Sequence, residues 1–130
     1  MFTIDQIKSA HSKVKSGADY PNYVQEIIRM GVTGYETYVE DGNTIYFGSE
    51  NDRIESGPKY KWITISDKSD KVKFQEDLKD HQEGRTNFPT FYLDAARSGV
   101  EKWVVDMSAM TCIYLDKTGK ILVVETIPVP

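Results

Sequence analysis

The stretch YPNYVQEIIRMGVTGYETYVEDGNTIY, residues 20–46, is followed 68 positions later by a related stretch, FPTFYLDAARSGVEKWVVDMSAMTCIY, residues 88–114. The two align without a gap, and the positions they share are Pro21/Pro89, Tyr23/Phe91, Arg29/Arg97, Gly31/Gly99, Val32/Val100, Tyr35/Trp103, Ile45/Ile113 and Tyr46/Tyr114. A common register over this length indicates an internal duplication. Because a repeat reports how a core is built and not what it binds, it predicts architecture far better than function.

The length and composition agree with one small globular domain made of two halves. The chain has 130 residues, of which 39% are hydrophobic and 28% are charged, so neither disorder nor a fibrous class is favoured. A half of about 65 residues would bury too little surface to be stable alone. We therefore expect a single domain over residues 1–130, with a first repeat at about 3–66 and a second at about 67–128.

The first half begins with two predicted helices. Thr3 and Gln6 form a capping-box pattern at the start of the first helix. Gly17 is expected to end that helix, and Pro21 suits the first turn of the next one, where its missing N–H is not needed. Gly31 then supplies the left-handed residue that ends the second helix.

The period of the sequence next changes from helical to alternating, which predicts strands. Side chains alternate over residues 35–40, and the Asp-Gly-Asn at 41–43 is typical of a hairpin turn into a strand at 44–47. The polar segment 48–58 predicts a surface loop. The alternation at 60–65 predicts a third strand.

The second half repeats this plan. Its predicted elements are a charged helix at 68–82, a helix at 89–98, and strands at 102–107, 111–115 and 120–127. The order ααβββ-ααβββ predicts an α+β fold, with an antiparallel sheet covered by helices. The duplication of the ααβββ unit adds the expectation of an approximate internal two-fold axis.

Charge, cysteine content and hydropathy bear on whether the protein binds nucleic acid or membranes and on the compartment in which it is found. The net charge is −4 and no basic stripe occurs, so nucleic-acid binding is not expected. A single cysteine excludes an internal disulfide and fits a reducing compartment. No run approaches the roughly 20 apolar residues that a membrane span needs, and the N-terminus lacks the regions of a signal peptide. We therefore expect a cytoplasmic protein without a membrane partner.

His81, Gln82 and Thr86 form the first group of candidate site residues. They lie between the two predicted helices of the second half. In one interpretation His81 only caps the exposed carbonyls at the end of a helix. In the other, these three side chains form a polar lip beside the N-terminus of the next helix, which favours anions.

Cys112 and Asp106 also admit two interpretations each. A free cysteine in the middle of a strand is commonly a small buried hydrophobe, and it acts as a nucleophile only with a base such as His81. Asp106 lies on the strand face opposite Trp103. It is an ordinary solvated carboxylate if that face is open, and a polar anchor or base if the face lines a cleft.

The remaining candidates are the aromatic positions matched between the two copies, above all Trp103 and Tyr114. Their first explanation is the shared scaffold, because aromatic side chains dominate core energetics. The two histidines, His11 and His81, are 70 residues apart and no metal-binding motif accompanies them. We therefore expect no metal and no cofactor.

Three segments of the second half resemble a known family. They are His81-Gln82-x-Gly84-x-Thr86-Asn87-Phe88, then residues 99–107, GVEKWVVDM, and then Met110-Thr111-Cys112-x-Tyr114. In these segments, and over nearly its full length, the chain resembles a bacterial family of unknown function whose members carry the label "phage envelope protein". The resemblance implies no activity, ligand or catalytic residue. The label conflicts with a chain that has no signal, membrane span or coat-like repetition.

The resemblance also implies further cysteines in the second helix of the second half. This chain has Tyr92 and Ala95 there. A redox or metal function is therefore not carried over from the family.

Three hypotheses for function follow, in this order. The first is a non-enzymatic binding module with a cleft between the two halves for a small molecule or peptide, and its candidate ligand-binding residues are His81, Gln82, Thr86, Trp103, Asp106, Cys112 and Tyr114. The alternative is an assembly protein that forms a homodimer or meets a phage or host partner. The third is a hydrolase-like enzyme that uses His81 with Cys112 or Asp106.

Overall fold

The computed structural model describes residues 2–15 and 17–130, which form a layer of helices against a single sheet. The helices are α1 (Ile4–His11), α2 (Tyr20–Met30), α3 (Lys71–Gln82) and α4 (Phe88–Arg97), with short 3₁₀ turns at Gly17–Asp19 and Ser49–Asn51. The strands are β1 (Val32–Tyr38), β2 (Thr44–Gly48), β3 (Arg53–Glu55), β4 (Val100–Asp106), β5 (Thr111–Asp116) and β6 (Ile121–Thr126).

The starts and ends of the first two helices follow local capping chemistry. The Thr3 hydroxyl accepts a hydrogen bond from the Gln6 N–H at 3.2 Å, and the Gln6 side chain accepts one from the Thr3 N–H at 2.9 Å, so the predicted capping box is confirmed. Gly31 ends α2 with a φ of 105°. The prediction that Gly17 ends the first helix is wrong. Ser12 ends α1 much earlier, with its N–H bonded to Lys8 O and its hydroxyl to Ser9 O.

The six strands form one antiparallel sheet in the order β3-β2-β1-β4-β5-β6. The two halves of the chain join where β1 pairs with β4, for example at Tyr35 with Val105 and at Thr37 with Trp103. The α+β class and the antiparallel sheet are therefore confirmed. The duplication with a two-fold axis stays a prediction.

The predicted position of the third strand is wrong. Glu50 and Asn51 adopt positive φ angles of 59° and 65°, and this turn brings residues 53–55 back to pair with β2 inside the predicted loop. Residues 60–65 instead cross the end of the sheet, where the Tyr60 hydroxyl and the Ile63 N–H bond to backbone carbonyls. The alternating pattern at 60–65 thus reflects packing against the core and not strand pairing.

The helices pack on one face of the sheet, which we call the inner face. Its two rows of paired residues are Tyr46, Tyr35, Val105, Cys112 and Glu125, and Thr44, Thr37, Trp103, Tyr114 and Val123. Tyr92 of α4 stacks on Trp103, and Phe74 of α3 meets Tyr114 edge-on. The core therefore lies between the helices and the inner face.

The opposite, outer face of the sheet carries the row Ile45, Glu36, Val104, Ile113 and Val124. None of these residues belongs to the core cluster. Within residues 2–15 and 17–130, no helix has both the length and the apolar character that crossing a bilayer requires.

Candidate functional site

A cavity of about 490 Å³ lies between the helices and the inner face of the sheet. Its volume falls within the range of roughly 300–1,000 Å³ that is usual for small-molecule sites. Aromatic residues are the largest group in its wall, and they come from both halves of the chain: Tyr20, Tyr23, Tyr35, Tyr46, Phe88, Phe91, Tyr92, Trp103 and Tyr114. The cavity thus sits where the halves meet.

The strands place their share of these side chains by simple alternation. Successive residues of a strand point to opposite faces, so Tyr35 and Thr37 of β1 face the helices together. The register of the sheet puts Tyr35 beside Tyr46 and Thr37 beside Trp103. The floor of the cavity is therefore continuous across the joint between β1 and β4.

Ring stacking fixes the wall of the cavity that the helices form, opposite the sheet. Tyr92 lies on Trp103 with ring centroids 5.5 Å apart and planes 12° apart. His81 lies on Phe91 with centroids 4.3 Å apart and planes 10° apart. Stacked pairs of this kind favour defined ring orientations, so the wall has a preformed shape.

Tyrosine hydroxyls are the most frequent kind of polar group on the cavity wall. The Tyr20 and Tyr35 hydroxyls are hydrogen-bonded to each other, and those of Tyr23 and Tyr46 lie 3.4 Å apart. Burial raises the pKa of each of these phenols. They remain protonated at neutral pH and are available both to donate and to accept hydrogen bonds.

Glu125 provides the carboxylate of the cavity wall. Its Oε1 accepts a hydrogen bond from the Tyr114 hydroxyl at 2.6 Å, and its Oε2 accepts one from the Gln82 amide. Burial raises the pKa of Glu125, and these two hydrogen bonds act in the opposite direction. Both carboxylate oxygens therefore have partners within the chain.

Lys59 provides a cationic group at another part of the wall. Its Nζ donates to the Thr44 hydroxyl at 3.2 Å, and its backbone N–H donates to Asp41 O at 2.8 Å, which holds the segment after β3 against the sheet. Lys59 as a residue is exposed, while loss of hydration around Nζ and, secondly, the charge of Lys8 lower the pKa of its ammonium group to about 8. No ion pair among the described residues includes Lys59.

His11 lies near Lys59 on the same wall. Burial and, secondly, the charge of Lys59 lower the pKa of His11, so its imidazole is neutral at pH 7. Its ring contacts Tyr23 edge-on at a centroid distance of 5.2 Å. This end of the cavity therefore combines one cation with neutral polar and aromatic groups.

The structure places five of the seven candidate residues from the sequence on the cavity wall. They are His81, Gln82, Trp103, Cys112 and Tyr114. Thr86 lies behind the wall, where its carbonyl oxygen and hydroxyl are 3.2 and 3.3 Å from His81 Nδ1. It positions the His81 ring and does not line the cavity.

Asp106 is the candidate that lies away from the cavity. It is exposed at the end of β4, and its carboxylate accepts hydrogen bonds from the N–H groups of Ser108 and Ala109. It caps the turn into β5, so of its two interpretations the solvated carboxylate describes its surroundings.

The surroundings of Cys112 do not favour a nucleophile. The thiol is buried, and burial followed by the charge of Glu125 raises its pKa. Burial also lowers the pKa of His81, whose Nδ1 lies against the Thr86 carbonyl. A reactive cysteine needs a stabilised thiolate, and neither Glu125 nor His81 supplies positive charge to it.

Lys59 and Glu125 were missed by the sequence reasoning. Glu125 is the one charged residue of the last strand, and its pairing with Cys112 would have placed it on the inner face once the register was known. No signal marked Lys59, because it lies in a segment whose path depends on the turn at Glu50 and Asn51. Among the described residues, no group of three His, Cys, Asp or Glu side chains could hold a metal ion.

Comparison with known proteins gives one result at the level of the family. No curated protein matches the chain. The profile of the family described as "Protein of unknown function (DUF1398)" matches residues 8–126, which include α2 and every element from β1 to β6. The expected relation to a family of unknown function is confirmed at that level. On this match over most of its length, the chain belongs to the DUF1398 family.

Proposed function

We propose that this protein is a non-enzymatic binding module that takes a small, largely aromatic or apolar molecule into the cavity between its helices and its sheet. The observation that carries the proposal is the aromatic-lined cavity of about 490 Å³ at the meeting of the two halves. The two-fold duplication expected from the sequence would explain why the cavity lies there. A short peptide segment is an alternative occupant of the same space.

The size of the cavity supports a ligand over a packing defect. Protein interiors are close-packed, and voids larger than a single water molecule are few. Here the rings are engaged with one another, as in the Tyr92–Trp103 and His81–Phe91 stacks, and still leave the cavity between them. Apolar rings with a few placed hydroxyls are the usual lining of a ligand site.

The titration properties of the thiol, the phenols and the imidazoles of the wall support binding over catalysis. Burial keeps the Cys112 thiol and the tyrosine hydroxyls protonated and keeps His11 and His81 neutral. None of these groups is prepared as a strong nucleophile or as an activated base. They can orient a ligand by hydrogen bonds and ring contacts.

The test uses 2-naphthalenemethanol, a neutral aromatic probe. We expect it to release or absorb heat on titration and to raise the Tm, since a ligand at a hundredfold excess over its Kd adds about 2.7 kcal/mol of stability. Isothermal titration calorimetry and a thermal melt measure the two effects. A wild-type protein that shows neither effect would contradict the proposed function.

A pair of neighbouring substitutions locates the binding. Cys112→Leu adds volume on the inner face and should weaken binding of the probe, whereas Ile113→Met changes the next residue, on the outer face, and should leave binding unchanged. Circular dichroism checks that both variants are folded. Equal loss of binding in both variants would argue against the cavity as the site.

We infer a second candidate function, assembly with another copy of the chain, from the exposed edge of the sheet. Ile121 and Val124 on β6 are 53% and 56% exposed, and β6 is an edge strand whose outer backbone groups are open to pairing. Val124→Lys should then lower the mass measured by light scattering, whereas Val72→Lys on α3 should not. A wild-type protein that is monomeric at high micromolar concentration would contradict assembly with another copy. Binding to a phage or host partner would then be the remaining form of the assembly hypothesis.

A further inference from the structure

We propose that the cavity's ligand is an organic anion, a carboxylate with an aromatic or apolar body, whose charged group is bound by Lys59 and the hydroxyls beside it. This inference rests on the binding function proposed above and adds the chemical class of the ligand.

The first observation is a cation on the wall without an anionic partner. Lys59 Nζ donates to Thr44 Oγ1 at 3.2 Å, and an ammonium group has three donors. None of the ion pairs found among residues 2–15 and 17–130 involves Lys59. Its charged neighbour is Lys8, which adds positive potential. Although Lys59 as a residue is exposed, its Nζ reaches the buried Thr44 hydroxyl on the cavity wall, and a cation in this position favours an anion brought by a ligand.

The second observation is a set of hydroxyls next to this cation. Thr37 Oγ1 and Thr44 Oγ1 are 3.0 Å apart, both residues are buried, and both line the cavity. The Thr44 hydroxyl also donates to Gly42 O at 3.4 Å, and either hydroxyl can turn from its present partner to donate to the second oxygen of a carboxylate while Nζ binds the first. Lys59 and His11 also line a smaller hollow of about 130 Å³, which adds space next to the ammonium group.

The third observation is that Glu125, the carboxylate of the cavity wall, already has hydrogen-bond partners and lies far from Lys59. Both oxygens of Glu125 accept hydrogen bonds from Tyr114 and Gln82. Glu125 lies on β6 and Thr44 on β2, with β1, β4 and β5 between them. At about 4.8 Å per strand, the two backbones are roughly 19 Å apart. A carboxylate beside Lys59 is therefore not opposed by Glu125.

The charge count favours a monoanion over a phosphate. Lys59 is the only lysine or arginine among the described residues that line the cavity, since the neighbouring Lys8 is not part of its lining, and His11 beside it is neutral at pH 7. Phosphate sites usually present arginine forks, several cations or a row of backbone N–H groups. One ammonium with two hydroxyls matches the charge and the two oxygens of a carboxylate.

The test compares 2-naphthoate with 2-naphthalenemethanol, which share their rings and differ in charge. We expect the wild-type protein to bind 2-naphthoate roughly tenfold to a hundredfold more tightly, as hydrogen bonds to charged groups allow. Lys59→Met should abolish this preference, so that the variant binds the two probes with Kd values equal to within about twofold. Lys59→Arg should keep the preference. Isothermal titration calorimetry gives all of these constants.

Lys61→Met is the matched control, because Lys61 is exposed like Lys59 and lies in the same segment but does not line the cavity. It should bind both probes as the wild type does. Equal affinities of the wild type for the two probes, or a preference that persists in Lys59→Met, would overturn this inference and leave the binding function standing. Absence of binding of both probes would overturn the two proposals together.

Discussion

Lys59 lies on the cavity wall, and its pKa is close to neutral pH. Its Nζ is bonded to the Thr44 hydroxyl, and the loss of hydration there lowers its pKa to about 8. His11, which faces it, is neutral at pH 7 because its own pKa is lowered. A change in the charge of this end of the cavity between neutral and alkaline pH is therefore a change in Lys59.

Affinity for 2-naphthoate should fall as the pH rises through about 8. Lys59 is cationic below its pKa and neutral above it, while the carboxylate of the probe stays ionised throughout. The bound anion favours the ammonium, so the midpoint in the complex lies at or above the value of the free protein. Titrations at a series of pH values measure the midpoint. Lys59→Arg should give a flat profile, and a wild-type profile equally flat would contradict the assignment.

Glu125 should make the folded state less stable as the medium becomes less acidic. Its pKa is raised by burial, so between its unfolded and folded pKa values the native state binds more protons than the unfolded state. The free energy of unfolding then falls as the pH rises through this window, beginning near the ordinary value of about 4.3.

Urea unfolding of the wild type and Glu125→Gln at several pH values tests this expectation. The wild type should lose stability relative to Glu125→Gln from about pH 4.5 upward, since the amide does not titrate. A difference that stays constant with pH would show that Glu125 has the same pKa in both states.

At the scale of the elements, the loop before α3 is anchored to the end of α4. Gly99 follows α4 with a φ of +81°, and a Cβ there would lie 2.8 Å from Lys68 O and 2.9 Å from Ser69 Cα. The Asp70 N–H donates to Ser98 O at 2.9 Å across the same contact. The start of α3 is thus positioned by backbone atoms that leave no room for a side chain.

Gly99→Ala should lower the free energy of unfolding by about 3 kcal/mol or more, because conformational strain adds to a backbone clash. Gly119→Ala is the matched control, with a φ of +84° and no atom within 4 Å of the added Cβ. It should cost about 1–2 kcal/mol, from the left-handed conformation alone. Chemical denaturation measures both values. Equal decreases in the free energy of unfolding would mean that residues 68–69 move aside for the added Cβ at little cost.

The elements that the sequence predicted well are those whose signals are local. The capping box at Thr3, the glycine at the end of α2 and the hairpin turn at 41–43 act within a few residues of themselves. β3 was placed wrongly because its pairing with β2 depends on a turn that has positive φ angles at non-glycine residues. Nothing in composition marks such a turn.

The same distinction applies to the candidate site. Trp103, Cys112 and Tyr114 were predicted from strands whose alternating pattern is visible in the sequence. The register of the sheet brings all three onto the inner face. Lys59 was missed because its approach to Thr44 follows from the path of a segment without regular structure. Asp106 shows the opposite error, because the sequence reasoning included it as a candidate and its side chain faces away from the cavity.

At the scale of the whole molecule, the two halves share both a sheet and a core. The register of β1 with β4 runs over five residue pairs, from Gly34 with Asp106 to Tyr38 with Lys102. Rings from both halves meet in the same cluster, as Tyr60 does with Tyr92 at a centroid distance of 5.1 Å. Separating the halves would open the sheet at its centre and expose both walls of the cavity.

We therefore expect the chain to unfold in a single cooperative step. Trp62→Phe removes the exposed indole, 68% accessible, and leaves Trp103 as a reporter in the cavity wall of the second half. The urea midpoint from Trp103 fluorescence should coincide with that from far-ultraviolet circular dichroism, which reports on both halves. A fragment of residues 1–66 should show no cooperative transition, since half of the sheet and core is missing. Two separate midpoints, or a fragment that folds alone, would mean that the cavity lies between units able to move apart, and ligand affinity would then depend on their docking.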